Sequence, residues 1–208
     1  MISSKKLFSI PAIALFAGSM STALMGCAVA TTDESTTQRA GSISEGLSNQ
    51  CAPAVPNPGL AVPDGNQLSF ELDAIGKQVY ECQASGSVFA WVFRYPDATL
   101  YQSGHVAGSH YIGPTWEYQD GSKVQGAKVF GFAPDPTAIP WLLLKATTHT
   151  GDDGRMSDVT YIQRLYTTGG LAPATACDAG SVGTLVGTDY TATYFFYKAS
   201  SGDGPQCG

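Results

Sequence analysis

Three histidines, His105, His110 and His149, are the only imidazoles in the 208-residue chain. Together with Glu117 and Asp120, His110 and His149 are the one set that could hold zinc or copper or run acid–base chemistry. Those metals take imidazole with carboxylate, so neighbouring strands would have to bring the four groups together. No H-x-H or H-x-x-x-H spacing supports a metal, and no metal or cofactor is expected. His110 also aligns with Lys128 in a short duplicated stretch, and a position that accepts lysine is normally a solvated strand face. Glu117 with Asp120 could form a glycosidase carboxylate pair, although Asp120-Gly121 reads more simply as a hairpin turn. A serine hydrolase reading fails because no G-x-S-x-G is present. Gly151-Asp152-Asp153-Gly154 could hold calcium, but a lone acidic turn is usually solvated loop.

Aromatic residues offer a second kind of chemistry. Trp116 follows Gly113-Pro114-Thr115 and precedes Glu117, which marks it as a surface candidate. With Tyr111 and Tyr118 it could stack on a sugar face or anchor a protein partner. Trp141 and Phe195 lie in apolar runs and are expected to be buried. The leading reading is a non-enzymatic binding or structural module of the cell envelope, with a glycan or protein ligand. The alternative is a secreted hydrolase or metal-dependent enzyme using His110, Glu117 and His149, with Asp120. Convergence of those side chains would favour the enzyme.

The start of the chain says where it works. Lys5 and Lys6, an apolar run over 7–16 and small residues up to Ala23 have the order of a secretory signal peptide, expected at 1–26. The run is too short to span a membrane as a helix. Leu24-Met25-Gly26-Cys27 resembles a bacterial lipoprotein box, with Cys27 lipidated and first in the mature chain. Ala28 after the cysteine favours the outer membrane. Ala28-Val29-Ala30 keeps ordinary cleavage and a soluble periplasmic or secreted product as the alternative. Net charge is −6 and becomes more negative once the leader lysines are removed. That balance argues against nucleic acid and against a polybasic grip on anionic lipid, leaving the lipid anchor as the membrane contact.

Four further cysteines, Cys51, Cys82, Cys177 and Cys207, read as two disulfides in an exported chain. Three pairings are possible. Cys51 and Cys207 lie in Pro/Gly-rich flanks and Cys82 and Cys177 lie inside the patterned region, so the nested pairing is preferred.

The elements that must position these groups are strands. Residues 27–66 read as the lipidated cysteine plus a polar, Pro-rich tether, 67–198 as a β-domain and 199–208 as a tail. Strands are expected at 68–73, 77–83, 89–95, 98–102, 105–112, 115–119, 123–132, 141–148, 157–166 and 190–198. No window of helical length holds a 3.6-residue apolar period, although Asp178 could cap one short turn. The fold class is all-β: a disulfide-stapled antiparallel sandwich or barrel with hairpins. Residues 101–113 align with 118–131 with one insertion, which predicts two β-hairpins side by side.

Several blocks resemble a known family. They are Asp73-Ala-Ile-Gly-Lys-Gln-Val-Tyr-Glu-Cys82, Gly113-Pro-Thr-Trp-Glu117 with Asp120-Gly-Ser122, and Ile139-Pro-Trp-Leu-Leu-Leu144 with His149. Tyr161-Ile-Gln-Arg-Leu165, Thr167-Thr-Gly-Gly170 and Ala172-Pro-Ala-Thr-Ala-Cys-Asp178 complete the set. Together, over about residues 63–198, they are similar to the exported bacterial and fungal domain-of-unknown-function family DUF3455. The resemblance implies export and supports pairing of Cys82 with Cys177. It implies no activity. A dinucleotide-binding reading fails, because no G-x-G-x-x-G joins a strand to a helix.

Overall fold

Alternation runs through the longest strand: Phe70, Leu72 and Ala74 are buried while Glu71, Asp73 and Ile75 between them are exposed. Opposite faces of a strand carry successive side chains, so one face is committed to an interior. The computed structural model describes residues 51–202. Its strands are β1 (Asn66–Ser85), β2 (Val88–Gln102), β3 (His105–Tyr111) and β4 (Thr115–Tyr118). They continue with β5 (Lys123–Phe132), β6 (Trp141–Thr150), β7 (Val159–Gly169) and β8 (Leu185–Ala199). Each strand pairs antiparallel with the next, and β8 pairs with β1 from Asn66↔Ala199 to Glu81↔Leu185. The result is a closed eight-stranded barrel, the second of the two architectures expected.

Two pairs of expected strands are in fact single strands. Residues 68–73 and 77–83 join through Gly76, and 89–95 and 98–102 join through Pro96 and Asp97. Gly76 reads as a break but serves close approach: a Cβ there would lie 2.2 Å from the Asp97 carbonyl oxygen. The duplicated stretch does form adjacent hairpins, β2–β3 and β4–β5. Their turns hold Ser103 (φ 51°) and Gly104 (φ 80°) in one and Gly121 (φ 84°) in the other.

The lower end, where β1 begins and β8 finishes, is filled. Phe70 stacks on Phe196 with centroids 4.7 Å apart. The β6–β7 connection plugs this end with Met156, fully buried, its N–H donating to Ser122 Oγ at 3.0 Å. Arg155 donates its backbone N–H to Asp120 Oδ2 at 2.7 Å and lays its guanidinium 4.4 Å from the Phe70 ring centre. The Gly151–Gly154 turn, weighed for calcium, thus belongs to the plug. A Cβ on Gly154 would come within 2.2 Å of Ser122 Cβ. Among the described residues no group of three or more His, Cys, Asp or Glu side chains could hold a metal ion.

A second cluster lies on the outer wall. Leu165, Phe195 and Tyr197 project outward and are covered by residues 51–65, whose Leu60 is fully buried. A short 3-10 turn, Pro58–Leu60, is capped by Asn57, whose Oδ1 accepts the Gly59 N–H at 2.9 Å. Gln163 Nε2 donates to the Leu60 carbonyl at 2.7 Å, tying this coat to β7. This part of the segment read as tether is therefore packed. Phe195 is buried as expected, whereas Trp141 is only half-buried beneath the coat.

Cys82 and Cys177 form a disulfide with Cα atoms 5.5 Å apart, joining upper β1 to the 170–184 connection. Cys51 is also disulfide-bonded, and its expected partner Cys207 lies outside the described residues, as does Cys27, the expected lipidation site. Asp178 caps a turn as expected, its Oδ1 accepting from Gly180 and Ser181 N–H at 3.0 and 3.1 Å, but no helix follows.

Candidate functional site

The upper half of the barrel is not filled. Inward positions there carry small residues, including Gly76, Ala98 and Gly126, and a Cβ on Gly126 would already touch Trp116 and Ile162 at 3.3 Å. The wall is also low on one side, since β3 has seven residues and β4 four against twenty in β1. A cavity of about 310 Å³ remains, open at the upper mouth and lined by residues from all eight strands. Its polar lining is Gln78, His110, Trp116, Arg164 and Tyr194, with Lys128 at the mouth. Its apolar wall is Phe93, Pro96, Pro114, Leu142 and Leu144.

Register explains the convergence. Arg164 pairs with Tyr194 and with Leu142, so the three share one row facing inward. His110 pairs with Ala98 and with Trp116, which are also inward. Arg164 Nε and Nη2 both donate to the Pro140 carbonyl, at 3.1 and 2.8 Å, which lays the guanidinium across the mouth. The other N–H groups of its five-donor fork make no hydrogen bond among the described residues.

Several buried polar atoms here lack partners. Gln78 Nε2, Trp116 Nε1 and Tyr194 Oη line the cavity without a hydrogen bond, and Tyr190 Oη beside them has none either. Tyr190, Tyr194, Gln78 and Arg164 sit close enough to influence one another's charge, yet none of these contacts meets hydrogen-bond geometry. An unsatisfied buried polar atom costs about 1–3 kcal/mol, so each calls for a partner such as a ligand or an ordered water. Burial raises the pKa of Tyr190 and of Tyr194, with the nearby Arg164 charge partly opposing it. Both phenols are neutral donors at physiological pH.

His110 is the corrected residue. The lysine-tolerant alignment predicts a solvated face, but His110 is 3% exposed and stacks on Trp116 with centroids 4.3 Å apart. Lys128 is in fact inward too, pairing with the interior Leu144 and lining the same hollow, but it reaches the open mouth while His110 is buried against Trp116. Burial drives the His110 pKa down to about 3; the hydrogen bond to Thr115 O at 2.8 Å opposes this and the Arg164 charge adds to it. The neutral ring therefore donates from Nδ1 and keeps Nε2 as an acceptor.

A pH dependence follows. The unfolded chain protonates His110 near pH 6.5 while the folded one resists to about 3, so the unfolded state binds more protons in between. Stability is full above pH 6.5 and falls as the pH drops through that window. Between pH 7 and 5 this group's share is about 2 kcal/mol. Denaturant midpoints of His110→Asn should lose that part of the slope. An unchanged slope in the variant would contradict the burial described.

The remaining sequence candidates are dispersed. Trp116 is not an exposed platform: it is 1% exposed and packs edge-on against Tyr194 and Phe196. Glu117, the next residue, faces outward, accepting from Tyr111 Oη at 2.7 Å and pairing with Lys123 at 3.1 Å. Tyr111 and Lys123 hold the Glu117 pKa below its ordinary value. Tyr118 points to the lower plug and donates to Gln102 Oε1 at 2.9 Å. Asp120 is committed to the plug through Ser122 and Arg155. His149 follows His110 along a row of pairs through Trp116 and Val124, three strand spacings or about 14 Å away. Its Nε2 contacts the Val159 carbonyl at 2.7 Å. The His110, Glu117 and His149 set is not brought together, because alternation puts Glu117 outside and the ring of strands separates the histidines.

Residues 101–198 match the model of the family described as Protein of unknown function (DUF3455). This is the family the sequence blocks resemble. The DUF3455 match runs from the end of β2 almost to the end of β8. It includes His110, Trp116, Arg164 and Tyr194, while Gln78 and Phe93 precede it. No curated protein and no solved structure matches the chain.

Sequence reasoning passed over Gln78, Arg164 and Tyr194. The signal was available: each occupies the inward phase of its strand, at Gln78 after Phe70-Leu72-Ala74, at Arg164 after Ile162 and at Tyr194 before Phe196. A charged residue in the apolar phase is the mark of a functional interior.

Proposed function

We propose that this domain is a binding module that holds a small molecule inside its barrel. The observation that carries the reading is the convergence of partnerless buried polar atoms on an open cavity of about 310 Å³. Small-molecule sites are typically ~300–1,000 Å³, mostly apolar, with a few placed polar groups, and the mouths of β-barrels are preferred places for them. This moves the recognition surface from the expected outer aromatic platform to the interior. The leader and Cys27 support an exported, lipid-tethered binding protein, and the Cys82–Cys177 bridge is in keeping with an oxidising compartment.

The test is to express the whole chain from its own leader and purify it from the membrane fraction. Native mass spectrometry should show an added small mass that denaturation releases. Lys128→Trp, in the inward phase at the mouth, should purify without it. Protein that carries no added mass, and whose melting temperature no member of a small-molecule library raises, would sink the binding reading. Recovery of Cys27→Ser in the same membrane fraction would sink the anchor.

A further inference from the structure

We propose that the cavity takes a small organic carboxylate with an apolar body. The inference rests on the reading of the cavity as a ligand site. The chain carries a net charge of −6, yet no Asp or Glu lines this hollow. Its two charged residues are both cations, Arg164 and Lys128. Among the described residues neither makes an ion pair. A cationic ligand would therefore meet repulsion and no counter-charge.

The donor set points the same way. Trp116 Nε1 and Gln78 Nε2 can only donate, and both are buried without an acceptor. The Arg164 fork keeps N–H groups beyond the two held by Pro140, and guanidinium matches a planar carboxylate with two parallel hydrogen bonds. One oxyanion thus supplies the acceptors these groups lack.

The apolar wall limits what lies behind the charge. Phe93, Leu142 and Leu144 would be left facing water by inorganic phosphate or sulfate, so the anion must carry a hydrophobic portion. The volume limits that portion: about 310 Å³ equals roughly ten water molecules at ~30 Å³ each. That has room for a benzoate or a short-chain fatty acid.

The experiment titrates the full mature chain with benzoate and hexanoate, with benzyl alcohol and hexanol as neutral counterparts and with benzylamine as the cation. The readouts are calorimetry and the Trp116 indole N–H resonance. The carboxylates should bind at least about tenfold more tightly than the alcohols, as a charge-assisted pair warrants, and should shift the Trp116 signal. Arg164→Met should erase that preference while leaving alcohol binding unchanged. If Arg164→Met does not fold, Lys128→Met at the exposed mouth should still reduce the preference. Alcohols or benzylamine binding as tightly as the carboxylates would overturn the anion assignment and leave the ligand cavity standing. No binding by any probe, with an unmoved Trp116 resonance, would overturn the carboxylate proposal. If native protein also carries no small mass, the cavity reading falls with it.

Discussion

Replacing Cys82 and Cys177 together with serine is expected to remove about 4 kcal/mol of stability. The bridge spans a sequence separation of 95 residues. In the chain-entropy account a loop of that size is worth ~4–5 kcal/mol, and native bridges in small exported domains typically measure ~2–5. The bridge also positions the upper end. It holds the 170–184 connection against β1, where Tyr80 Oη donates to the Gly170 carbonyl at 2.7 Å and Trp91 Nε1 to the Thr175 carbonyl at 2.8 Å. Gly170 in turn lies against Tyr190 and against Gln78, which lines the cavity. The serine pair should therefore lower the denaturant midpoint and loosen the mouth together. Equal midpoints for the variant and the parent chain would show that the bridge is incidental.

Trp116→Ala is expected to cost about 3–5 kcal/mol, the range for truncating a buried aromatic. The indole stacks on His110 and meets Tyr194 and Phe196 edge-on, so its loss removes the wall shared by cavity and core. Trp116→Phe separates packing from recognition. The lost N–H has no partner in the folded protein, so folding should lose only part of the ring's packing, while a ligand that accepts from that N–H should bind more weakly. An alanine variant within ~1 kcal/mol of the parent would mean that the ring is not packed as described.

The bridge and Trp116 also show how far the sequence could be read. The disulfide was legible because its cysteines lie inside the patterned region and in family-like blocks. β5 was legible to the residue, since Lys123–Phe132 is bounded by Gly/Ser and Pro-rich turns. The strand continuity through Gly76 and Pro96 was not, because those residue types signal breaks unless the opposing strand is known. Trp116 was misjudged because a four-residue strand is too short to display its phase, and Gly113-Pro114 before it suggested a loop. His110 was misjudged because lysine at the aligned position signalled a solvated face, whereas Lys128 also faces the hollow and reaches solvent only at its open mouth. Closure decides the rest. Only when β8 returns to β1 do Gln78, Arg164 and Tyr194 look at one another across a common hollow, and no local pattern encodes that meeting.

The pairing of Asn66 with Ala199 has a directional consequence. Both ends of the barrel leave from its plugged floor, while the hollow opens at the opposite rim. Held by its ends, the barrel works like a cup standing on its base: its opening faces away from whatever holds it.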